Sequence, residues 1–184
     1  MQWTYSMNYV SRAELAILSI LAHNNWERPV YFTITTPEDN FIGLDRFLVN
    51  EGFALRLMPV DFGLKEGDPS AIVNLDQTYT NIMEKYQWGN INKASYLDPD
   101  SYRYISMYVG SLYGQTALQF FTNGEVEKAK ALALNAYEQM PKRAFLMSEV
   151  MSYNDLVDVL LKTGEVEKAT ELATRNLSFV KEHM

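Results

Sequence analysis

No cysteine occurs in this 184-residue chain, which excludes disulfides, thiolate nucleophiles and cysteine-ligated zinc. A missing residue type does not assign a compartment. Histidine is almost as scarce: His23 and His183 stand at opposite ends of the sequence, so neither a histidine-rich metal site nor a catalytic triad is expected. Basic residues are outnumbered 16 to 23, for a net charge of −7 and a pI near 4.9. A phosphate-backbone partner needs clustered Lys and Arg, so no nucleic acid is expected. Long hydrophobic runs are missing too. The apolar stretch 13–22 carries Glu14 and is about half as long as a bilayer crossing requires, so no membrane span is expected. Trp3, Tyr5 and Asn8 stand where a signal peptide would have its basic and apolar regions, which puts any export signal outside this chain. The few glycines lie singly, with no phosphate-cradling loop, and no cofactor is expected.

What is present is a repeat. The hexapeptide Gly-Glu-Val-Glu-Lys-Ala occurs at 124–129 and again at 164–169, each time opening an amphipathic helix after a helical segment. Two copies in a chain this short predict an array of helix hairpins. With 47% hydrophobic and 13% aromatic residues, the chain can fill one large core or two small ones.

Before the repeats, helical and extended character alternate. Ser11 and Glu14 have the spacing of a capping box, in which each side chain satisfies an orphan N–H of the first turn. The helix so opened places Leu15, Ile17, Leu18, Leu21 and Ala22 on a broad buried face, and Asn24-Asn25 stops it. Pro29 introduces the β-branched and aromatic run 30–35, read as a strand. A second helix is expected over 40–51, with Phe41, Leu44, Phe47 and Leu48 inward and Gly52 as its cap, and strand character resumes at 54–60. Residues 3–7 add a further candidate strand. Strands joined by helices predict a β-α-β module with a parallel sheet. The stretch 61–74 reads as a mobile loop with a short extended piece at 71–73, 75–88 as a helix, and 91–99 as a linker. Four helices are expected from there, near 100–123, 125–139, 148–163 and 165–182. The fold class is therefore α+β, mostly α: a small α/β module with a short sheet over residues 1–97, then antiparallel helix hairpins over 98–184.

In the first hairpin Tyr113, Ala117, Phe120, Gly124, Ala129 and Ala136, closed by Pro141, follow a pattern of large and small residues that lets helices approach closely. This pattern resembles the tetratricopeptide repeat. The second copy keeps Tyr153, Leu160, Gly164, Ala169 and Ala173, puts Val157 and Asn176 at small-residue positions, lacks the proline, and reads as an end cap.

The run Asn25-Trp26-Glu27-Arg28-Pro29-Val30-Tyr31-Phe32, with Gly43-Leu44, Glu51-Gly52, Leu57-Met58-Pro59-Val60 and Lys85-Tyr86-Gln87-Trp88-Gly89-Asn90, resembles the soluble C-terminal part of large bacterial membrane proteins common in Bacteroidetes. In that family the membrane-spanning half looks like a protein O-mannosyltransferase, and the soluble part ends in tetratricopeptide-like helices. The resemblance implies an extracytoplasmic accessory domain on the periplasmic side of the inner membrane, attached to a membrane-anchored parent. The spanning half, where sugar transfer would reside, is not in this chain, so the resemblance implies no catalysis here and no catalytic residues.

Several residues invite chemistry. Asn25, Trp26 and Arg28, with Tyr31, offer an indole face beside amide and guanidinium donors, a way to hold a sugar or peptide. The plainer account has Trp26 and Tyr31 plugging the core and Arg28 capping helix carbonyls. Asp39 with Asp45, or Asp98 with Asp100, supply acid pairs for a hydrolase, but Asp98-Pro99-Asp100 has the place of a helix cap. No metal ligands are expected. Along the long helix, Tyr102, Tyr104 and Tyr108 form the candidate recognition surface for a protein or peptide partner, against core packing at the same spacing. The expected function is a non-catalytic docking domain. Its rivals are a carbohydrate-binding or hydrolase-like module using Trp26, Arg28 and the loop 61–74, and a structural or oligomerisation domain.

Overall fold

Ser11 caps the first helix as its sequence predicts. Its Oγ accepts from the Glu14 amide at 3.3 Å while the Glu14 carboxylate accepts from the Ser11 amide, and these bonds hold the Glu14 carboxyl below its ordinary value. The computed structural model describes residues 1–5, 9–63 and 72–184, and the chain divides into two units, 1–78 and 79–184. In the first, α1 (Arg12–Asn24) ends at Asn25 in the left-handed conformation, φ 46°. Ile17, Leu18 and Leu21 pack against the core, whereas Leu15 and Ile20 are exposed, so the buried face is narrower than expected.

The sheet consists of β1 (Tyr31–Thr33), β2 (Leu48–Asn50) and β3 (Ala54–Leu57) in the order β1-β3-β2. Both pairings are antiparallel, with Phe32 and Asn50 opposite Leu55. The expected parallel β-α-β unit is therefore corrected. Its helix over 40–51 does not form: Ile42 (φ 51°) and Gly43 (φ 76°) are left-handed and confine the segment to two 3₁₀ turns, Glu38–Phe41 and Asp45–Phe47. With no helix to carry the chain back, a tight turn joins β2 to β3, Gly52 donating to Asn50 Oδ1 at 2.8 Å. Adjacent strands joined so closely can only pair antiparallel. Phe41, Leu44, Phe47 and Leu48 are nonetheless buried as read, with Leu55 and Leu57 beside them.

Residues 3–5 take no strand structure. They lie against the turn at Gly43, where Trp3 Nε1 donates to the Ile42 carbonyl at 3.2 Å and a Cβ on Gly43 would come within 2.9 Å of the Thr4 carbonyl. The remainder of that candidate strand, residues 6–7, and residues 64–71 of the expected loop lie outside the described residues. Val73 forms an isolated bridge to Asn50.

α2 (Leu75–Thr80) runs into a π-helical turn, Asn81–Lys85. The expected boundary at residue 97 falls inside the second unit, because the segment before it packs onto the later helices. Tyr79 meets the Phe120 ring edge-on at 5.7 Å, Trp88 lies 5.6 Å from the Tyr113 ring, and Asn92 Nδ2 donates to the Glu138 carbonyl at 2.8 Å. Asp98 caps α3 (Pro99–Thr122), accepting from the Ser101 amide at 3.0 Å with proline in the first turn. Then come α4 (Val126–Gln139), α5 (Met147–Ser152), α6 (Asn154–Lys162) and α7 (Val166–His183). The helix expected over 148–163 is broken at Tyr153, φ −97° and ψ 2°. Gly110 and Gly114 of α3 admit this broken helix, since a Cβ on Gly110 would overlap Ser152 and the Tyr153 ring.

The two hexapeptides adopt one conformation. Gly124 and Gly164 have φ 83° and 85°. Their amides donate to Phe121 and Leu161, and the amides of Glu125 and Glu165 to Phe120 and Leu160, the paired bonds of a glycine helix terminator. Each Glu then pairs with the Lys three residues on, Lys128 and Lys168, both at 2.7 Å.

Candidate interaction site

The helix face that buries Tyr113 in the first hairpin buries Tyr153 in the second, forty positions later, but their polar partners differ. Tyr113 donates its hydroxyl to Asn135 Oδ1 at 2.5 Å. At the position matching Asn135 the second hairpin has Arg175, whose guanidinium lies 5.5 Å from the centre of the Tyr153 ring. Arg175 is buried and meets Glu149 Oε1 at 2.6 Å, the two side chains being 7% and 0% exposed. Desolvating two charges is costly, and such a pair survives only if the remaining donors and acceptors are filled. Here both Glu149 oxygens and every Arg175 guanidinium nitrogen are bonded. Glu149 also accepts from the Tyr102 hydroxyl at 2.9 Å and from the amides of Phe145 and Leu146 at 2.5 and 2.9 Å. Arg175 donates to the carbonyls of Pro141 at 2.9 Å and Arg143 at 3.2 Å, and to Asn176 Oδ1 at 3.0 Å. Burial, with the Glu149 charge nearby, pushes the Tyr102 and Tyr153 hydroxyls up from their ordinary value.

Four of these bonds end on the backbone of residues 141–146, the connection between α4 and α5. The ion pair thereby fixes a loop that has no helix or strand of its own. This loop forms one wall of a groove of about 700 Å³. The other wall is α7, which contributes two adjacent rows at four-residue spacing: Thr170, Thr174 and Ser178, and beside them Glu171, Arg175 and Phe179. Lys142 and Arg143 stand on the loop side, and Glu182 and His183 close the far end. Lys142 lies over the Tyr137 ring at 5.1 Å and Arg143 over the Phe145 ring at 4.7 Å. Glu171 accepts the Tyr137 hydroxyl, a bond that pushes that hydroxyl up to about 12. A separate cavity, of about 20 Å³, lies between Trp88, Tyr102, Tyr113 and Tyr153 and has room for about one water.

The residues singled out in the sequence are scattered. Tyr102 is core, 3% exposed, and its hydroxyl is spent on Glu149, which corrects its reading as a recognition residue. Tyr104 is 53% exposed with the Arg103 guanidinium 5.0 Å from its ring centre, and Tyr108 is half-buried. Residues two apart on an α-helix point about 200° away from each other, so Tyr102 and Tyr104 cannot share a face. Asn25, Trp26 and Arg28 form the exposed turn after α1. Trp26 is left-handed, φ 60°, and 44% exposed, so it does not plug the core. Tyr31 donates to the buried Glu51 at 3.1 Å. Asp45 is buried and Asp39 exposed, and Asp98 is a helix cap, its carboxyl held low by the Ser101 amide. Among the described residues no group of three or more His, Asp or Glu is placed to hold a metal ion, and no helix is long and apolar enough to cross a membrane.

The groove was not read from the sequence. Two signals for it were present: adjacent cations after Pro141 in an acidic chain, and an arginine at a repeat position where the first copy has asparagine.

A small antiparallel sheet with its helix, then paired helical hairpins, defines a mostly helical α+β protein. Residues 1–77, under half of the chain, match the family described as TMEM260-associated domain 2, a stretch nearly coextensive with the first structural unit. No curated protein and no solved structure matches the chain.

Proposed function

We propose that this chain is a non-catalytic docking domain of an O-mannosyltransferase-like membrane protein, working on the periplasmic side of a bacterial inner membrane. Its hairpins serve as a tetratricopeptide-like surface for a protein or peptide partner. The family match supports the association with such a parent, and the groove along α7 carries the docking role: it is roomy, open, and walled by a loop that is fixed before any ligand arrives. Pre-organisation of this kind lowers the entropy lost on binding. By holding a partner or acceptor polypeptide near a membrane-embedded site, the domain raises its local concentration there.

Site-specific crosslinking tests this reading. A photoreactive side chain at Thr174, inside the groove, should capture a discrete polypeptide from an envelope extract, while one at exposed Glu84 should not. Equal capture at both positions, or none at Thr174, rejects the groove as the docking site.

A further inference from the structure

We infer that the groove along α7 takes an extended peptide segment bearing carboxylates, which face Lys142 and Arg143. The inference rests on the docking role proposed above and specifies its ligand.

Charge supports it first. The cations around the two hairpin turns and in the buried pair, which clasps the loop 141–146, have acidic partners: Lys128 with Glu125, Lys130 and Lys168 with Glu165, Lys162 with Asp158, and Arg175 with Glu149. Among the described residues, Lys142 and Arg143 form no ion pair; each lies over an aromatic ring, and the Arg143 guanidinium also donates to the Ser95 carbonyl at 3.5 Å. In a chain of net charge −7, two adjacent cations without a carboxylate are placed to receive one from outside, and a carboxylate there forms charge-assisted hydrogen bonds. Their mounting is rigid, because the Arg143 carbonyl and the Phe145 amide are held by the buried pair.

Shape supports it second. From Thr170 to Glu182 the groove follows α7 for about 18 Å at 1.5 Å per residue, the span of about five residues of extended chain. Thr170, Thr174 and Ser178 line this path; the Thr170 hydroxyl donates to the Val166 carbonyl of its own helix at 2.8 Å, and those of Thr174 and Ser178 can meet the backbone groups of a strand-like ligand. Glu171 and Glu182 in the same groove repel a uniform polyanion. A nucleic acid or an anionic membrane is thereby disfavoured, and a peptide with separated acidic side chains is admitted.

The test uses the whole chain and rhodamine-labelled, end-blocked peptides of about eight residues, one alternating Asp with Ser and the other its Asn–Ser isostere. The readout is fluorescence anisotropy. The acidic peptide should bind about tenfold more tightly, the preference should fade with added salt, and Lys142→Ser with Arg143→Ser should erase it while leaving circular dichroism unchanged. Equal binding of the two peptides overturns the acidic preference and leaves the groove as a peptide site. Binding of neither, or binding unaffected by Thr174→Trp in the groove, overturns both the preference and the docking role of this surface.

Discussion

The two helical hairpins turn on the same hexapeptide in the same conformation, yet their helices meet different surroundings. Ala133 of α4 is fully buried while Ala173, forty residues later in α7, is exposed. Ala136 is matched by Asn176, whose Nδ2 is buried without a hydrogen-bond partner. Where the first hairpin joins Tyr113 to Asn135 by one neutral hydrogen bond, the second places Arg175 against Tyr153 and brings Glu149 to it. The first copy is covered by the second hairpin; the second keeps α7 open and uses a charged clasp to hold the loop opposite. A repeat thus transmits its turn faithfully and its burial only where a neighbour exists.

The contrast breaks most severely at the clasp. Glu149→Ala leaves the Arg175 guanidinium buried without its acid and should cost about 3–5 kcal/mol, measured by urea denaturation, whereas Asn135→Ala in the first hairpin should cost about 1 kcal/mol. Equal losses would remove the distinction between the hairpins. Next comes the contact between them: Gly110→Ala drives a methyl group into Ser152 and Tyr153, and overpacking there should cost about 1–3 kcal/mol. A neutral outcome would mean that α5 is free to move aside. Smaller still, Gly124→Ala and Gly164→Ala should each cost about 1 kcal/mol, since both positions are left-handed and nothing lies within 4 Å of an added Cβ. Matching losses would confirm that the turn is local, and unequal ones would show it is coupled to its surroundings.

The mildest effect concerns pH. Glu165 bonds Lys168 within its own turn and Lys130 of α4, and these cations lower its carboxyl from an ordinary 4.5 to about 2. Between those values the unfolded chain binds more protons than the folded one. The stabilisation is therefore present in full above about 4.5 and is lost as pH falls toward about 2. Glu165→Gln should flatten that part of the stability profile and leave neutral pH nearly unchanged; an unaltered acid limb would show that the bridge contributes nothing.

Much of the fold was legible because it is written in short-range chemistry. Ser11 with Glu14, Asp98 before Pro99, and Gly124 with Gly164 each act on backbone groups within about five residues, so their spacing alone located the helix ends. The second helix of the first unit was misread for a related reason. Phe41, Leu44, Phe47 and Leu48 do face inward at nearly helical spacing, but left-handed Ile42 and Gly43 deliver that burial through turns. The site was barely legible. Tyr102 looked like a recognition residue from its neighbours in sequence, and its partner Glu149 stands 47 residues away.

Local order in the chain was enough to set the helix caps, the two glycine turns, the hairpin count and the mostly helical class, because each depends on hydrogen bonds that a residue makes with its own vicinity. The antiparallel direction of the sheet, the choice of which tyrosines are buried, and the groove along α7 arose only on folding. Strand pairing, desolvation and the Glu149–Arg175 clasp all require groups far apart in the chain to meet, and the free energy of that meeting belongs to the folded arrangement rather than to any segment of it.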